Sequence, residues 1–72
     1  MAWIKMKEDE VINASAVKTI EILQSRGSYY IAFFLNAGER LVSKRFERIE
    51  ECLELFNRIW SAMADDLSVD IS

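Results

Sequence analysis

"SYYIAFFLNAGER", residues 28–40, sets the architecture of this chain. A two-residue period sends Tyr29, Ile31, Phe33 and Leu35 to one side, and Tyr30, Ala32 and Phe34 to the other. A strand with one wet face alternates apolar with polar. This one is apolar on both faces and needs cover on both. The loop Asn36-Ala37-Gly38 ends in glycine, which fits a type I turn closing on a left-handed residue. The run therefore predicts a strand leading into a hairpin.

Its neighbours extend the pattern. Upstream, "QSRGS" turns the chain at Gly27, a residue free to adopt positive φ. Before it, "VKTIEIL" places Ile20 and Ile22 on one face and Thr19 and Glu21 on the other. The apolar run 11–23 is long for a single strand, so Asn13-Ala14-Ser15 predicts a bend or bulge. "AWIKMK" reads as a first strand that ends in the charged turn "KEDE". "ERLVSKRF" reads as the fourth strand, and short connections predict an antiparallel meander.

From Glu47 the period becomes helical. Ile49, Cys52, Leu53, Phe56, Trp60 and Met63 share one side of the wheel, with Glu47, Glu50, Glu51 and Glu54 at the positive end. Leu55, Ile59 and Ala62 widen the stripe on one flank. The expectation is α+β: a four-stranded antiparallel meander packed on one face by a C-terminal helix. Strands fall at about 2–7, 11–23 (bent near 13–16), 28–35 and 39–46, and the helix at about 47–64. Residues 65–72 read as a frayed tail. Ile20, Ile22, Ile31, Phe33 and Leu35 are expected under the helix.

Seventy-two residues form at most one domain, and a chain this short leaves a small core. Cys52 is the only cysteine, so no disulfide closes within one copy, and a lone thiol suits a reducing cytoplasm. There is no histidine, which removes the commonest general base and a closed Cys/His zinc site. Nine Lys and Arg against twelve Asp and Glu make an acidic chain, which disfavours phosphate binding. No apolar run is long enough for a membrane span, and "MAWIKMKEDE" lacks the apolar core of a secretory signal.

The chain resembles a loose group of small uncharacterised bacterial proteins. Its matching pieces are Trp3-Ile4, the turn "KEDE", Ile12-Asn13, Val17 to Ile22, Tyr29 to Gly38, and Phe46 to Cys52. It departs from that group at Cys52, where alanine is commoner, and at Arg48-Ile49, where polar residues are commoner. The resemblance implies a sheet-plus-helix domain, a reduced relative of pleckstrin-homology-like folds, and carries over no catalytic residue. In arrangement alone the chain is also similar to the dimeric single-stranded-DNA-binding transcriptional coactivators, without their glycine-rich or basic signals.

No constellation reads as catalytic. Glu8-Asp9-Glu10 lacks the spacing and glycine of a calcium loop and reads as a solvated turn. The helix glutamates complement the dipole. Cys52 lies on the apolar stripe, where free cysteine behaves as a small hydrophobe. The expectation is a non-catalytic cytoplasmic interaction module, a homodimer or a binder of another protein, with no cofactor, metal or membrane partner. Tyr30 and Phe34 are its expected anchors, with Trp3, Leu55 and Ile59 beside them. The alternative is single-stranded nucleic acid, with Tyr30 and Phe34 stacking bases and Lys18, Lys44 and Arg45 holding phosphate.

Overall fold

In the computed structural model, which describes residues 1–72, the chain is α+β with six strands and one helix. β1 (Trp3–Lys7) and β2 (Glu10–Asn13) form an antiparallel hairpin. A short 3-10 turn, Ala14–Ala16, leads into β3 (Val17–Ser25), β4 (Ser28–Leu35) and β5 (Arg40–Val42), which pair antiparallel in that order. The helix α1 (Ile49–Ala64) follows, and β6 (Val69–Asp70) ends the chain. The strands make two three-stranded sheets, ordered β2-β1-β6 and β3-β4-β5, not one four-stranded meander.

The corner between β2 and β3 is the reason. Asn13 Oδ1 accepts the N–H of Ser15 at 3.0 Å, a local side-chain turn that competes with strand pairing. Beyond it the chain changes partners. The Ala14 N–H donates to Ala2 O on the β1 side, whereas Ala16 O accepts the N–H of Asn36 at the end of β4. The run 10–25 therefore serves two sheets. A bulge at Lys18 follows the corner. It leaves Lys18 exposed and turns Val17 onto the core.

The β3–β4 turn has Arg26 at φ 52° and Gly27 at φ 78°. Two positive φ values in a two-residue loop mark a type I′ turn, whose twist suits a tight hairpin. At the next hairpin Gly38 takes φ 94° and its N–H donates to Leu35 O, closing the loop on a left-handed residue.

The last expected strand, 39–46, is paired as a ladder only over Arg40–Val42. Ser43 ends it. Its N–H donates to Ile31 O, but its hydroxyl takes the place of its carbonyl: Oγ accepts the Ile31 N–H at 2.9 Å and donates to Lys44 O at 2.9 Å. Ser43 is the one buried polar residue. Ser43→Ala leaves a buried N–H of the central strand without its partner, which costs about 1–3 kcal/mol. Urea unfolding should show a lower midpoint with an unchanged slope.

The core gathers both sheets and the helix: Ile4 and Met6, Ile31 and Phe33, Phe46, Cys52, Leu55 and Ile59, and Ile71. Ile20, Ile22 and Leu35 pack against it. Helix α1 begins at Ile49, two residues later than expected, because Arg48 at the cap is extended and offers no capping side chain.

The expected frayed tail is a correction. β6 pairs parallel to β1, with Val69 beside Ile4 and Asp70 beside Lys5, and Ile71 is buried. Ser68 Oγ accepts the Trp3 N–H at 3.0 Å, and the Ile71 N–H donates to Lys5 O at 2.9 Å. β1 had a free edge, and a strand of alternating apolar residues, Val69 and Ile71, fills it. Hydrogen bonds from the Ser72 hydroxyl and N–H hold the Asp70 carboxyl below its usual range. The resulting contribution is complete above the ordinary aspartate value and fades as pH falls through the lowered one.

Candidate interaction surface

The inner and outer faces of β3-β4-β5 differ in cover. The inner face meets the core. On the outer face, register places Leu23 opposite Tyr30, Glu21 and Val42 on either side of Ala32, and Thr19 and Arg40 on either side of Phe34. Tyr30, Phe34 and Leu23 are half-buried, and Val42 is 42% exposed. Ala32 is fully buried beneath these longer neighbours. No element of the chain packs over the patch: Tyr30, Phe34, Leu23 and Val42 all lie outside the core cluster.

The helix presents a second apolar surface, and here the sequence reading needs correction. Leu55 and Ile59, expected on an open flank, are buried at 7% and 0% exposure with Cys52. The open flank is the opposite one: Ile49, Leu53 and Trp60, the last 57% exposed. At 100° per residue these three stand together on the wheel beside Phe56. The cause is β6. The C-terminal segment runs along the Ala62 side of the helix, where Leu67, Ser68 and Val69 line a groove with Arg58 and Ala62, and Val69 packs against the core. That covers one flank and leaves the other.

Trp60, Met63 and Ala64 line a groove of about 220 Å³ with Val17, Lys18, Thr19 and Ile20. The Trp60 end of the open helix flank therefore lies beside the start of β3. That strand pairs only with β4, so its other edge is unpaired.

The remaining expected site residues are dispersed. Trp3 is 45% exposed on the other sheet, where it pairs with Asn13. Lys18 sits at its bulge. Lys44 Nζ lies 5.7 Å from the centre of the Phe46 ring, and Arg45 pairs with Glu47 at 3.5 Å. Of the three cations expected to hold phosphate, two are thus engaged locally.

Cys52 is fully buried, and burial pushes its thiol up from the ordinary value. A thiol held protonated among apolar side chains reacts only when the fold opens. Native protein should react with a thiol reagent about a thousandfold more slowly than urea-unfolded protein. Equal rates would contradict the burial.

No protein-family model, curated protein or solved structure matches the chain. No group of three His, Cys, Asp or Glu is placed to hold a metal ion, and no helix is long and apolar enough to cross a membrane. Sequence reasoning missed Leu23 and Val42 on the outer face. Each follows from counting two-residue steps along β3 and β5 once the register is known.

Proposed function

We propose that the protein is a small non-catalytic interaction module that binds protein through the outer face of β3-β4-β5. The observation that carries this reading is the patch of Tyr30, Phe34, Leu23 and Val42 around Ala32, apolar and uncovered by the chain's own elements. Aromatic side chains set on a sheet bury large area with little rotamer entropy to lose, which suits them as anchors. The rim carries charge of both signs, Glu21 and Arg40. A polar rim around an apolar centre is the usual anatomy of a protein interface. The absence of histidine and the burial of the one thiol also favour binding over catalysis.

Glu21 argues against nucleic acid on this face. It stands opposite Ala32, between the two aromatic side chains, where its carboxylate repels phosphate.

Photocrosslinking tests the reading. A photoreactive residue at Val42 should give discrete protein adducts in cells, and a control at exposed Glu8 should not. Tyr30→Ser with Phe34→Ser should abolish the adducts while the far-UV spectrum is kept. Adducts to nucleic acid, or steeply salt-dependent binding of a fluorescent oligonucleotide, would overturn the proposal.

A further inference from the structure

The unpaired edge of β3 is a second surface open to a partner. Ser25 and Ser28 close the type I′ hairpin as a doubly hydrogen-bonded pair, so the backbones of Leu23, Glu21 and Thr19 are directed at β4. The N–H and C=O groups of Ile20, Ile22 and Gln24 therefore point to the free edge. A long unpaired edge of this kind is a template for another strand.

We propose that a second copy of the chain fills it. The two β3 strands pair antiparallel about a twofold axis normal to the sheet at Ile22, giving one six-stranded sheet. This rests on the reading of the protein as an interaction module and assigns a second surface within it. Register favours this centre. Pairing Ile22 with its own copy, and Ile20 with Gln24 of the other, satisfies the free groups of all three residues on both strands. Centring on Glu21 places two carboxylates directly opposite, which is destabilising.

Self-pairing is favoured over a lone peptide by the helix. A twofold axis normal to the sheet keeps both helices on the same side of it. Trp60 of each copy, exposed beside β3, then faces the partner across the seam. An added peptide strand pairs the backbone and leaves that flank open.

Charge permits the pairing, and size sets its strength. The net charge of −3 does not fall on the seam, where β3 contributes Lys18 and Glu21 and the open helix flank contributes no charge. Centred on Ile22, the two strands overlap over residues 19–25, about 24 Å, and a strand layer plus a helix is about 20 Å deep. The resulting strip, roughly 480 Å² in projection, is a little over half of the ~800 Å² per partner of a standard interface, so the dimer should be a weak one that forms as concentration rises.

Sedimentation over a concentration series tests this. The wild type should pass from 8.4 kDa toward twice that mass. Trp60→Glu, at an exposed site, should raise the dissociation constant about 30-fold or more. Gln24→Pro, which removes only an edge-facing N–H, should do the same. The pair Tyr30→Ser and Phe34→Ser should leave the dimer intact. A wild type that is monomeric at near-millimolar concentration overturns edge pairing, as does a dimer that survives both Trp60→Glu and Gln24→Pro. A dimer lost only with the Tyr30 and Phe34 changes overturns it too, while leaving the outer face as the interaction site.

Discussion

Phe33→Ala should leave the chain largely unfolded at 25 °C. Phe33 is fully buried at the centre of β4, paired with Ile20 on one side and Leu41 on the other. Removing a buried phenylalanine side chain costs about 3–5 kcal/mol. A core of this size supplies about 3–5 kcal/mol in all. The two numbers are equal, so the folded population collapses. Loss of amide dispersion in an NMR spectrum and of the cooperative thermal transition would report it. The adjacent residue is the control. Phe34→Ala removes a side chain of the same size from the half-buried outer face and should leave a cooperative transition. If Phe34→Ala proved the more damaging, the two faces of β4 would be assigned the wrong way round.

That contrast also shows what the sequence made legible. The two-residue period of β4 sorted its side chains correctly because period alone fixes which residues share a face. The cover on each face depends on distant segments. The bend at Asn13-Ala14-Ser15 was visible, but a bend does not disclose that β2 and β3 take different partners. That is settled by Ala2 reaching Ala14 and Asn36 reaching Ala16. On the helix, apolar residues span roughly half the wheel at 100° a residue. Such an arc can dock on either flank. Leu55 and Ile59 went inside, and Trp60 and Leu53 stayed out, because β6 occupies the side that the reading left open. The sheet-edge groove beside Trp60 is a product of that same choice.

Ile71→Ala should lower stability by about 2–5 kcal/mol, the cost of emptying a fully buried isoleucine site. For a domain of this length that corresponds to a fall in melting temperature of roughly 10–30 °C. A frayed tail would show no change at all, so the measurement separates the two descriptions cleanly. Truncation after Leu67 should cost more. It also removes Val69, the Ile71 N–H bond to Lys5 and the cover over Ile4, and it returns the β1 edge to solvent. The kinetics carry a further expectation. β6 meets β1 across almost the whole chain, so that pairing closes a long loop, and it should form after the β3-β4 hairpin. Contacts made after the transition state stabilise by slowing unfolding. Ile71→Ala should therefore speed unfolding with little change in the folding rate, whereas the milder Ile31→Val, in the hairpin, should slow folding as well.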